Sequence, residues 1–169
     1  MKMTSAQAAK QLRRLNDQLS TLTAKEKSTS TFLASVGEDA ESLRPEYDYA
    51  ASQKQQAELE TRIRRLRHAI NIFNTTTVIP GFGITIDEML VFLPQLTDRV
   101  KKLSTMKDAL PKVREERNFM RGSSIIDYRY ANYDIKQVEA DYQAAADELA
   151  KAQTALDVVN NTVEFDFKF

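Results

Sequence analysis

The stretch from Ile135 to Val159, IKQVEADYQAAADELAKAQTALDVV, sets Ile135, Val138, Tyr142, Ala145, Leu149, Ala152, Leu156 and Val159 at alternating three- and four-residue steps. Such steps line one stripe of an α-helix, and a stripe of this kind has to be buried against another helix. Three further stretches repeat the pattern, so the sequence predicts a mainly α chain. Its expected form is an antiparallel bundle of four long helices, two helical hairpins, with small strands at the bundle ends.

Working outward, helix 4 covers about residues 134–160, with Asp134 and Gln137 at its start as capping residues. Helix 1 spans about 4–35, with Ala8, Leu12, Leu15, Leu19, Leu22, Thr29, Leu33 and Val36 on its stripe. Glu26 falls on the same stripe and marks a wet or loosely packed layer. Gly37 stops the helix, and Gly37 to Pro45 reads as a polar, acidic turn. Helix 2, about 46–74, buries Tyr49, Leu59, Ile63, Leu66, Ile70 and Phe73, and is weakened early by Ser52 and Gln56.

The β-branched run around Pro80-Gly81-Phe82-Gly83 reads as a β-hairpin over 76–84. Thr85-Ile86-Asp87-Glu88 is a capping box that opens helix 3, about 86–118, with Met89, Leu93, Leu96, Val100, Leu103 and Leu110 inside. Pro94 should kink that helix and Pro111 should bend or end it. Alternation of Ile126, Tyr128 and Tyr130 with charged residues gives a strand over 124–131. The tail 164–169 alternates Phe165, Phe167 and Phe169 with charges. A terminal strand this apolar needs a partner, expected to be the 76–84 hairpin or another subunit.

At 169 residues one helical domain is expected. Lys and Arg number 24 and Asp and Glu number 24, which removes the usual charge argument for an obligatory nucleic-acid or membrane partner. Four glycines and four prolines are few for a sheet protein. The absence of cysteine excludes disulfides, thiolate metal sites and cysteine nucleophiles, and suits a cytoplasmic location. No signal peptide is visible over Met1–Gln7, and the longest apolar run, Met89–Leu93, is far short of the ~20 residues that span a bilayer.

Enzymatic motifs fail one by one. A di-iron bundle needs two Glu-x-x-His pairs, whereas the single histidine, His68, follows Arg65 at that spacing. No nucleophile elbow is present, and Gly81-Phe82-Gly83 lacks the lysine of a phosphate loop. The chain is therefore expected to be non-enzymatic, with no cofactor and no metal.

Two surfaces stand out. Arg62, Arg64, Arg65 and Arg67 on helix 2 have the chemistry to contact phosphates, but ion pairs with carboxylates of neighbouring helices or subunits are the favoured reading over nucleic acid. Phe165, Phe167 and Phe169, with Tyr128 and Tyr130, form the candidate interface of a homo-oligomer. Tyr133 and these tyrosines suit an interface or bundle end better than a ligand groove.

Several short motifs in order carry a resemblance. They are Asn71 and Asn74-Thr75, then Gly83-Ile84-Thr85-Ile86-Asp87-Glu88-Met89-Leu90, then Arg117, Arg121 and Ser124-Ile125, closing with Ala150, Leu156-Asp157, Asn160 and Glu164. From about Glu58 onward the chain resembles a bacterial family described as septicolysin-like. The resemblance implies a long-helical fold with small strands and self-assembly, and it brings no established activity or catalytic residues. Two departures from that family are Asn161, where a tryptophan is common, and Phe92-Leu93-Pro94, where a basic pair is common. The family label suggests a cytolysin, but this chain has no long apolar hairpin to enter lipid.

Overall fold

A computed structural model describes residues 2–115 and 127–168. In chain order the elements are β1 (Lys2–Thr4), α1 (Ser5–Thr29), α2 (Ala40–Leu43), α3 (Tyr49–Thr76), α4 (Ile86–Lys107), β2 (Lys112–Arg114), β3 (Tyr128–Tyr130), α5 (Ile135–Thr162) and β4 (Glu164–Asp166). The chain is mainly helical, with small antiparallel strands. Its contacts form two units, Met1–Thr77 with Val158–Phe169, and Val78–Asp157.

In the first unit, Thr4 opens α1. Its hydroxyl accepts the Gln7 N–H at 3.3 Å, and the Gln7 side-chain oxygen accepts the Thr4 N–H at 3.0 Å. Two orphan donors of the helix start are satisfied reciprocally. Asp48 caps α3 in a similar way, accepting from Ala51 N–H at 3.0 Å. The two helices run antiparallel and close a narrow seam. Ala8, Leu15, Ile63 and Leu66 are buried there with Met3 and Phe167, flanked by half-buried Leu12, Leu19, Leu59 and Ile70. Full burial of one such leucine is worth about 1.5–3 kcal/mol.

Helix α1 ends at Thr29, not near residue 35, and Leu33 and Val36 are fully exposed. Ser28 and Thr29 turn their hydroxyls back to the Lys25 carbonyl at 2.8 and 2.9 Å, a competition that weakens helix continuation. Among the described residues nothing opposite buries Leu33 and Val36, because α3 begins only at Tyr49, itself exposed.

The terminal strand finds a partner that the sequence reading did not consider. β4 pairs antiparallel with β1, in the register Lys2 to Asp166, Met3 to Phe165 and Thr4 to Glu164. The phenylalanine face turns inward: Phe165 stacks on Phe73, and Phe167 is buried. Neither the 76–84 segment nor a second subunit is its partner in this pairing.

In the second unit, the expected hairpin over 76–84 is reduced to one bridge, Val78 to Thr85, around a tight turn. α3 holds Thr76, and the Thr77 N–H donates to the Phe73 carbonyl, so few residues remain for strands. Gly81 and Gly83 take φ of 84° and 68°, which the turn requires and which glycine accepts without strain. The predicted capping box is present: Thr85 N–H donates to Glu88 Oε2 at 2.8 Å, and Glu88 N–H to Thr85 Oγ1 at 3.2 Å.

α4 passes through Pro94 and ends at Lys107, not near 118. Pro111 disfavours helical geometry at Leu110, which is exposed, not buried. Lys112–Arg114 instead becomes β2 and pairs with β3. Asp134 caps α5 by accepting the Lys136 N–H at 2.9 Å, whereas Gln137 donates to Asp141. α4 and α5 meet where Tyr133 Oη donates to the Met106 carbonyl at 3.0 Å and the Lys107 ammonium lies 5.0 Å from the Tyr142 ring centre. Phe169, residues 124–126 of the predicted strand and 116–118 of predicted helix 3 lie outside the described residues.

Candidate interaction surfaces

Hairpin geometry starts with the layer at Glu26. Its carboxylate accepts from Tyr47 Oη at 2.5 Å, Gln53 Nε2 at 2.7 Å and Gln56 Nε2 at 2.5 Å. The Tyr47 bond, then Gln56, holds the Glu26 carboxyl below its ordinary value, and the same bond pushes the Tyr47 phenol up. What the sequence marked as a wet layer is a clamp, fastening the far end of α1 to the start of α3.

Below that clamp the seam is open on both sides. One side is a groove of about 620 Å³ with Leu22 and Leu59 in its floor and Arg14, Asp17, Lys25, Glu58 and Arg62 among its walls. The opposite side is a groove of about 460 Å³ that includes Leu19, Ile63, Arg64, Arg67 and His68. All four predicted arginines are exposed, yet they do not converge. Successive residues turn ~100° around a helix, so Arg62 lies to one side of the seam and Arg64 and Arg67 to the other. Arg64 donates to Thr61 Oγ1 at 3.4 Å. Among the described residues, no ion pair joins Arg64, Arg65 or Arg67 to a carboxylate.

Tyr128 and Tyr130 lie on the exposed two-stranded ribbon of β2 and β3, with ring centres 6.5 Å apart. The register sets Lys112 opposite Tyr130 and Arg114 opposite Tyr128, so all four share one face. The Lys112 ammonium lies 3.9 Å from the Tyr128 ring centre and 5.4 Å from that of Tyr130, a cation–π arrangement. On the other face Arg129 pairs with Glu115 at 2.9 Å. Sequence reasoning missed Lys112 and Arg114, which fall inside the predicted helix 3 over about 86–118. The signal that would have found them is the Lys112-Val113-Arg114 alternation directly after Pro111.

Of the predicted interface residues, Phe165 and Phe167 therefore serve the interior of their own unit, and Tyr128 and Tyr130 face outward. His68 is exposed. Among the described residues there is no group of three or more His, Cys, Asp or Glu side chains placed to hold a metal, and no helix is long and apolar enough to cross a membrane.

No protein-family model matches the chain, and no curated protein does. The fold is similar to the crystal structure of a functionally unknown conserved protein from Corynebacterium diphtheriae, with a TM-score of 0.60 and 20% identity. The match covers 98% of this chain and 100% of that one. At that identity the likeness concerns the fold alone.

Proposed function

We propose that this chain is a non-enzymatic, self-assembling helical protein of the cytoplasm, with the septicolysin-like resemblance describing its ancestry and not a lytic activity. The observation that carries the reading is the open groove floored by Leu22 and Leu59. Two helices bury one narrow stripe between them, and a further helical layer laid into the groove removes these leucines from water. Hairpins of different subunits meeting there form a four-helix layer, a different arrangement from the bundle within one chain that the sequence predicts. Absolute mass in solution, by light scattering after size exclusion, tests this. A discrete multiple of 19.3 kDa supports it, and monomer at every concentration up to tens of micromolar rejects it.

A second reading, binding of nucleic acid or another phosphate ligand, draws on the exposure of Arg64, Arg65 and Arg67 without carboxylate partners among the described residues. The placement of arginines on both sides of the seam speaks against a single grip. Salt-dependent RNA binding, lost on replacing these three by alanine with helicity kept, would favour it over self-assembly.

A further inference from the structure

The β2–β3 ribbon sorts its side chains by charge and by ring. Directly opposed residues of an antiparallel pair point to the same side, so Lys112, Arg114, Tyr128 and Tyr130 gather on one face. All four are exposed, Tyr130 at 61% and Tyr128 at 45%. The acids at the end of the ribbon, Glu115 and Asp127, alternate onto the other face, where Glu115 pairs with Arg129 at 2.9 Å. Among the described residues, neither Lys112 nor Arg114 is joined to a carboxylate. The face is therefore cationic and aromatic, with both of these acids turned away from it.

A ligand complementary to this face carries negative charge and planar apolar surface together. An acidic peptide would engage the cations and leave both rings bare. A nucleic-acid strand with unpaired bases offers one phosphate and one planar ring per nucleotide. The tyrosine ring centres are 6.5 Å apart and their planes are inclined at 51°. That separation is about twice the 3.4 Å spacing along one strand of a duplex. Two successive bases therefore meet the two rings only when splayed apart, and a duplex keeps its bases stacked inside. We propose that this face binds single-stranded nucleic acid, with Tyr128 and Tyr130 stacking on adjacent bases and Lys112 and Arg114 contacting the phosphates. In the free protein the Lys112 ammonium rests over the rings, at 3.9 and 5.4 Å from their centres. An exposed cation–π contact is weaker than base stacking, so an arriving base takes the ring and the ammonium moves to a phosphate. The site goes beyond the self-assembly reading and uses none of the α3 arginines.

The test is fluorescence anisotropy of the full chain with end-labelled oligo(U) and oligo(dT) of about ten nucleotides, within the ~4–16 that single-strand sites span. At least one strand should bind, its choice separating RNA from DNA, and a duplex of the same length should not compete. Tyr128→Ala with Tyr130→Ala should weaken binding at least about fivefold. Lys112→Gln with Arg114→Gln should lower the slope of log affinity against log salt by about 1.4, ~0.7 for each phosphate contact. Alanine at Arg64, Arg65 and Arg67 should leave binding unchanged. Because the chain has six tyrosines and no tryptophan, stacking should also quench its tyrosine emission. Tyr128→Phe with Tyr130→Phe should keep the affinity and lose that quenching, which separates lost stacking from a collapsed ribbon. No strand bound at up to ~100 μM protein, the weak end of non-specific binding, overturns the proposal. So does equal binding of duplex, affinity indifferent to the alanine pair, or quenching that persists in the phenylalanine pair. Binding lost only with the α3 arginines moves the contact to that helix and overturns this site.

Discussion

Phe73 and Phe165 stack with ring centres 4.9 Å apart and planes inclined at 30°, joining the last turn of α3 to the terminal strand of the same chain. The contact assigns the phenylalanine tail to the core of its own unit, with Met3 and Phe167 beside it. Phe165 and Phe167 thereby close the core of their own unit.

Replacing Phe167 by alanine should therefore cost about 3–5 kcal/mol of stability, the range for a buried Phe-to-Ala change, and Phe165→Ala somewhat less because that ring is half-buried. Chemical denaturation would read the loss. The mass in solution should not change. A drop in oligomeric state with stability preserved would place the tail in an intersubunit contact instead.

Leu15 and Leu66 are at most 1% exposed, whereas Leu33 is 96% exposed. Leu66→Ala should destabilise by about 2–5 kcal/mol. Leu33→Ala should leave the denaturation midpoint within experimental error. The contrast checks where the seam of the hairpin ends. Equal costs at the two positions would mean that the stripe continues past Thr29, as the sequence periodicity alone suggests.

The Glu26 clamp makes the distal hairpin sensitive to pH at both extremes. The folded carboxyl titrates below its ordinary value of 4.5, so its contribution is present above that value and fades as pH falls through the lower folded one. The Tyr47 phenol titrates above its ordinary 10.0, so its contribution holds below that value and fades as pH rises through the folded one. Amide protection factors around residues 47–56, corrected for the intrinsic slowing of exchange in acid, should fall on acidification before those of the seam near Leu66. Glu26→Gln should remove this acid step, and an acid response identical to wild type in that variant would argue against the clamp.

Thr85→Ala should cost about 1 kcal/mol, because it leaves the Glu88 N–H without its cap. Thr85→Ser should recover most of the loss. Thermal melts that do not distinguish alanine from serine here would mean the box contributes no net stability.

Much of the fold was legible because helix stripes and caps are local. The 3–4 periodicity placed α5 to within a few residues, and Thr85 to Glu88 marked the start of α4. That Arg62 and Arg64 fall on opposite sides of the seam follows from spacing alone, whereas the carboxylate partners expected for Arg64, Arg65 and Arg67 are not found among the described residues. The errors lie where local pattern competes with distant contact. Leu33 and Val36 continue the stripe in sequence but have no helix opposite among the described residues, and Leu110 continues α4's stripe into a proline that ends it.

The sequence by itself determined the helices, their buried stripes and the absence of cysteine chemistry, because those depend on residue type and on spacing within one turn or a few. Only the tertiary structure decided that the phenylalanine tail pairs with Lys2–Thr4. It also turned Glu26 from a flaw in a stripe into a clamp, and brought Lys112 and Arg114 onto the tyrosine face. Each of these joins segments distant along the chain, by strand register or chain reversal, and no periodicity within either segment encodes the other's position.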